Sequence, residues 1–120
     1  MELIPTSADE LPDLWRGVLE NKIQDSPMRF KLGAILIKKG RVVAVGNNHR
    51  KTNPRYGVKA DFMTLHAEGD LLYSCYKLGI DTRKTTMIVY RKNGKLARPC
   101  IHCQKLIEKA GIKKVIYTNG

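Results

Sequence analysis

The sequence predicts an α/β fold, with helices packed on a sheet whose strands are partly parallel. Two β-branched segments flank Lys38-Lys39-Gly40-Arg41 and read as a hairpin. Downstream of that hairpin the patterns alternate α-β-α-β, the order that builds parallel neighbours. Gly79, Pro99 and Gly111 mark helix ends and starts at the matching places. A chain of 120 residues suits one domain, residues 1–120, around a single modest core.

In chain order, residues 9–24 read as a first helix. Asp9 can cap it, Pro12 is tolerated in its first turn, and Leu11, Leu14, Trp15, Val18 and Leu19 share a face. Ser26-Pro27 ends it. Residues 30–37 and 42–45 are the two strands of the hairpin, and 47–64 is a long polar loop containing Asn53-Pro54 and Gly57. From 65 or 66 to 78 the pattern is helical, with Gly79 as its stop. Residues 86–91 are a strand, followed by an Asn93-Gly94 turn. Pro99 opens the next helix, Leu106 and Ile107 lie on its apolar face, Gly111 closes it, and 115–117 form a last strand.

Composition narrows the class. Apolar residues at 42% describe a folded globular chain. The longest apolar stretch, Ala34-Ile35-Leu36-Ile37, is too short to span a bilayer, so no membrane partner is expected. Met1-Glu2-Leu3-Ile4-Pro5 lacks the basic start and apolar run of a secretory signal, and a cytoplasmic location is expected. Three cysteines, two of them in one C-x-x-C pair, do not make a secreted disulfide framework. Cys75 sits in an apolar segment and reads as a buried thiol. Twenty-two Lys and Arg against 11 Asp and Glu give a net charge of +11, which attracts anions. The basic residues are spread along the chain. They support a phosphate-bearing partner without choosing between a mononucleotide and a polymer.

The chemistry lies in His66-Ala67-Glu68 and Pro99-Cys100-Ile101-His102-Cys103. His66, Cys100 and Cys103 supply three good zinc ligands, and Glu68 is a carboxylate the metal does not need. A structural zinc site normally has four protein ligands, whereas a catalytic one keeps three and leaves a position to water. Both halves fall in the first turns of helices that a common sheet would bring to the same edge. There the unpaired N–H groups and positive dipole ends favour thiolate over thiol. The spacing of three puts both sulfurs on one side of their helix. One imidazole and two thiolates lower the pKa of zinc-held water. Glu68, off the metal, can take that water's proton, pass it to a ring nitrogen, and then help protonate the departing amine. The net reaction is hydrolytic loss of ammonia from an aminopyrimidine or aminopurine. Taken singly, a C-x-x-C also fits a redox pair or half a zinc knuckle, and His102, His49 or Cys75 could close a structural site. Both halves together, in this order and at helix starts, favour catalytic zinc.

The H-x-E…P-C-x-x-C pattern is the signature of zinc-dependent nucleobase deaminases. The chain resembles the cytidine and deoxycytidylate deaminase superfamily from the first strand to Gly120. The resemblance implies a three-layer α/β/α sandwich with a mixed sheet of four or five strands, bound Zn2+, and deamination of a cytosine base. Val45-Gly46-Asn47-Asn48 is similar to the end of the family's second strand, where a G-x-N asparagine contacts the nucleoside. By that match Asn48 is the substrate contact and Asn47 the adjacent alternative, with Ala67 counted beside them. Residues 48–54 together with Leu65-His66-Ala67-Glu68 resemble small phage and bacterial deaminases in particular. The chain stops soon after residue 117, where relatives usually continue into another helix and strand. The expectation is a C-terminally short member whose site a partner subunit completes in a homo-oligomer.

The favoured substrate is a free cytidine or deoxycytidine nucleotide such as dCMP. Arg50, Lys51 and Arg55 would hold its phosphate, and Tyr56 would stack on its base. The alternative is cytosine in single-stranded DNA or RNA, which the +11 charge suits. Aromatics at 7%, with no obvious row of stacking residues, weigh against it. A silent zinc module that binds nucleic acid is the third reading, and Glu68 weighs against that one.

Overall fold

The computed structural model describes residues 1–49 and 66–120. Its strands are β1 (Glu2–Thr6), β2 (Leu32–Lys38), β3 (Arg41–Asn47), β4 (Thr86–Arg91) and β5 (Lys114–Thr118). They form one five-stranded mixed sheet in the order β1-β5-β4-β2-β3. β1 and β4 both pair parallel with β5, while β2 pairs antiparallel with β3 and β4. The helices are α1 (Asp13–Ile23), α2 (Ala67–Leu78) and α3 (Ile101–Lys109).

Strand alternation sorts the side chains into two cores. Ile35, Ile37 and Ile88 face Leu19 and Ile23 of α1. Ala34, Leu36, Met87, Val89 and Val115 face Leu71, Leu72 and Cys75 of α2 and Ile107 of α3. The result is the expected α/β/α sandwich, with one helix on one face and two on the other. Among the described residues no helix is long and apolar enough to cross a membrane.

The local signals act as their chemistry dictates. Lys39 and Gly40 both take positive φ, 52° and 76°, the pattern of a type I′ turn whose twist suits a hairpin. Gly79 ends α2 in the left-handed conformation at φ 69°, with its N–H facing the Cys75 and Tyr76 carbonyls.

Two expectations need correction. The first helix begins at Asp13, not at residue 9, because Pro12 holds Leu11 extended at ψ 137° and confines Ala8–Glu10 to a separate 3₁₀ turn. The N-terminus also forms β1, a strand the sequence did not suggest. Pro5 falls within it, and the edge of a sheet is where a missing N–H is tolerated.

β3 and β4 are both antiparallel to β2 and so run toward the same end of the sheet. α2 and α3 follow them in the chain and start at that end. The site gathers there.

Candidate metal and catalytic site

The contact between β3 and α2 decides where the site forms. At Gly46 an added Cβ would stand 2.6 Å from the Leu71 backbone nitrogen and 2.7 Å from the Ala67 carbonyl oxygen. Only the absence of a side chain lets the first turn of α2 rest so near the strand. His66, extended and immediately before Ala67, is the N-cap of α2 and is thereby delivered to the sheet's end. Cys100 is the N-cap of α3, where its sulfur accepts the Cys103 backbone N–H at 3.5 Å.

His66 Nδ1 lies 3.3 Å from Cys103 Sγ and 3.7 Å from Cys100 Sγ. The three ligand atoms all fall within 4.8 Å of one another. Tetrahedral zinc, with bonds of about 2.0–2.3 Å, holds nitrogen and sulfur roughly 3.5 Å apart, so this donor set fits zinc. Among the described residues no fourth His, Cys or carboxylate joins the group, and residues 50–65 contain neither His nor Cys. The three residues weighed as a structural fourth ligand are placed elsewhere. His49 bonds Asp70, Cys75 is in the core, and His102 is exposed. Among the described residues the set is the three-ligand kind.

The charges are tuned by contact. Cys100 is pulled down to about 3, first by its hydrogen bond with Cys103 and then by that with His66. Cys103 moves up, chiefly because it shares its proton with the Cys100 sulfur and then because it is buried. His66 is raised, mainly by its bond to Cys100. The Cys103 backbone N–H at the helix start adds to the downward shift at Cys100, while the shift at Cys103 runs the other way.

Glu68, in the first turn of α2, is 4% exposed. Burial raises its pKa above the usual carboxyl value, opposed by its backbone N–H and by the nearby His66. It lies outside the metal-ligand group. A carboxyl pulled both ways between its charged and neutral forms can take and return a proton.

The proposed substrate contacts are unequal. Asn48 is buried, and its Oδ1 accepts from Ser26 Oγ at 2.7 Å and the Leu32 N–H at 3.0 Å, while Nδ2 donates to the Phe30 carbonyl at 2.6 Å. Most of its amide is therefore committed to the fold, with one N–H unpaired among the described residues. Asn47 Nδ2 donates to the Lys22 carbonyl at 3.2 Å. Ala67 is buried, its carbonyl against Gly46. Arg50, Lys51, Arg55 and Tyr56 lie outside the described residues.

Asp70 was missed by sequence reasoning. Its carboxylate accepts the Asn47 N–H at 3.0 Å and pairs with His49 Nε2 at 2.9 Å, strapping the end of β3 to the start of α2. Its position one helical turn beyond His66, on the same side of α2, was the available signal.

Three ligands on one ion, with a proton carrier beside them, are what zinc-assisted hydrolytic deamination uses, and fold and site together define a zinc-dependent deaminase. The family model for the cytidine and deoxycytidylate deaminase zinc-binding region matches residues 16–119. The chain belongs to that family.

Among solved structures, the apo dCMP deaminase of cyanophage S-TIM5 is similar over 86% of this chain and 78% of its own, at 28% identity and a TM-score of 0.62. Cytidine deaminase from Burkholderia pseudomallei shares the fold at 19% identity and a TM-score of 0.64, over 87% of this chain and 83% of its own. The Thermotoga maritima diaminohydroxyphosphoribosylaminopyrimidine deaminase/reductase is similar at 26% identity and a TM-score of 0.58, over 87% of this chain but 28% of its own. No curated protein sequence matches.

Proposed function

We propose that the protein hydrolyses the exocyclic amine of a cytosine ring in a free nucleotide, dCMP first of all, giving the uracil nucleotide and ammonia in the cytoplasm. The observation that carries this reading is Glu68, a buried carboxyl beside the His66–Cys100–Cys103 set but outside it. His66, Cys100 and Cys103 would hold a zinc ion, which when bound would supply an activated water. Glu68 takes one proton of the attacking water and passes it to the ring nitrogen next to the reacting carbon, then takes the second from the hydroxyl added to that carbon and delivers it to the amine as it leaves. Asn47, Asn48 and Ala67 are assigned to the substrate wall, and Asp70 ties Asn47 and His49 to α2. Arg50, Lys51 and Tyr56 complete the assignment as phosphate and base contacts.

The dCMP choice is supported by the similarity to the cyanophage dCMP deaminase. It is tested with zinc-loaded protein on dCMP, dCTP, deoxycytidine and cytosine, read by ammonia release. The expected order puts dCMP first in kcat/KM. Turnover of none of the four refutes the proposal. Completion of the site by a second copy of the chain belongs to the same proposal, and a strict monomer with full activity in sedimentation removes it.

A further inference from the structure

Between the later turns of α2 and α3, at the end of these helices away from the zinc set, lies a cleft of about 360 Å³. Leu72 and Cys75 of α2, Leu106 and Lys109 of α3, and Ile80 and Thr82 of the chain after α2 line it. Cys75 is nine residues beyond His66, roughly 13 Å along the helix axis, and Lys109 is as far beyond Cys100. The cleft is therefore no part of the site at the helix starts.

Its walls are fixed by backbone chemistry. Gly79 turns the chain back in its left-handed conformation, and the Ile80 N–H reaches the Cys75 carbonyl at 2.9 Å, which returns Ile80 to the helix it has just left. On the other side Thr82 Oγ1 donates to the Ala110 carbonyl at 2.7 Å, and the Lys84 N–H donates to that of Gly111 at 3.1 Å. These bonds pin the end of α3 to the same loop. Sites for small molecules are of this kind: preformed, set between elements, about 300–1,000 Å³ in volume and mostly apolar with a few polar groups.

The polar groups here carry one sign. Among the described residues no Asp or Glu lines the cleft, and no hydrogen bond or ion pair engages the Lys109 amine. Cys75 is 1% exposed, and burial pushes its thiol up to about 11, so it meets an occupant as a neutral, soft apolar surface. The surrounding end of the sheet is cationic. Lys38, Lys39, Arg41, Lys84, Lys113 and Lys114 stand in its turns and strand ends, while the acid Asp81 is paired with Arg83. Such a field draws anions. A bare inorganic anion would leave the apolar walls unfilled, and an uncharged hydrocarbon would leave the Lys109 amine unused.

We propose that the α2–α3 cleft is a binding site for a small amphipathic anion, a monocarboxylate whose hydrocarbon body lies among Leu72, Ile80 and Leu106 and whose carboxylate pairs with Lys109. The inference stands apart from the proposed deamination and uses none of the groups assigned to it.

The test is a methyl-detected NMR titration of zinc-loaded protein with hexanoate, octanoate and the uncharged match octanol. Octanoate is expected to shift the Leu72, Ile80 and Leu106 methyls in a saturable way and to leave Leu14 unmoved, an exposed leucine of α1 on the other face of the sheet. It should bind roughly 15-fold more tightly than hexanoate, about fourfold for each of two further buried methylenes. Lys109→Met keeps an apolar stem and removes the charge; it should weaken octanoate about 3- to 5-fold, the scale of an exposed ion pair, and leave octanol nearly unchanged. Leu106→Trp, at a half-buried position, fills the cleft and should abolish saturable binding of both ligands. Should that variant not fold, Ala110→Leu, also in the lining, carries the same test.

No saturable shift below about 10 mM octanoate overturns the inference. So do shifts that reach Leu14 as strongly as Leu106, which make the uptake non-specific, and equal affinities for hexanoate and octanoate, which leave the apolar walls without a part. An equal loss of octanol and octanoate in Lys109→Met removes the carboxylate from the proposal and overturns it as stated.

Discussion

Gly46→Ala is the sharpest test of how the fold builds the site. The new methyl would sit 2.6 Å from Leu71 N and 2.7 Å from Ala67 O, both backbone atoms that no rotamer change can move. Restoring the 3.4 Å of ordinary contact needs α2 to withdraw by about 0.8 Å. Overpacking of this kind costs about 1–3 kcal/mol, and rigid neighbours favour the upper end. The same withdrawal carries His66 and Glu68 away from Cys100 and Cys103 on α3. A misplacement near 1 Å can cost ~100-fold in rate, so kcat should fall far more than folding stability alone explains. Urea unfolding of zinc-loaded protein and ammonia release from its best substrate read the two effects. Gly17→Ala is the control: nothing lies within 4 Å of its added Cβ, and it sits inside α1. It should gain about 0.5–1 kcal/mol with activity unchanged. If Gly46→Ala matches the wild type within about 0.5 kcal/mol and turns over normally, the close approach does not position the site.

Glu68→Gln should release ammonia at least about 100-fold more slowly while keeping its zinc. Burial raises the Glu68 pKa, so its ionised form costs native stability as pH rises above the unfolded carboxyl value, up to the folded one. In metal-free protein the variant should therefore be more stable than wild type at neutral pH, with the gap closing near pH 4; thermal melts across pH that show a constant gap refute this. Cys103→Ser should lose zinc, measured by metal analysis, and unfold at lower denaturant, because metal binding and folding are linked. Asp70→Ala should raise KM more than it lowers kcat, at unchanged zinc content, since it frees the Asn47–His49 wall and spares the ligands. Asp70→Asn, whose amide oxygen can still accept the Asn47 N–H, should be milder, and equal effects from both would assign the role to charge alone.

What could be read from the sequence was local chemistry. The β2–β3 turn, the Gly79 stop and both helix starts are written in adjacent residues. The metal set could be read because each half of it sits at such a start. β1 could not, since Pro5 breaks its pattern and its partner β5 lies at the other end of the chain. Asp70 was missed because the groups it holds are 21 and 23 residues away. Phe30 read as the first residue of a strand. The ladder starts at Leu32 instead, and that two-residue difference turns a core aromatic into an exposed one beside two arginines.

The division of labour between the helices explains why the motif is split along the chain. α3 supplies both sulfurs, one as its cap and one within its first turn, so the sulfur geometry belongs to a single rigid element. α2 supplies the imidazole and, two residues on, the carboxyl that must stay off the metal. A cap residue projects from the helix end, whereas a residue one step inside the first turn can be buried against the sheet. That difference is what separates His66, partly exposed, from Glu68, sealed enough for its proton affinity to rise. Gly46 brings the α2 turn down onto β3, so burial of Glu68 and placement of His66 are one event. Chemistry at this sheet end is then set by two helix starts, beside the Asn47–His49 stretch that Asp70 ties to α2.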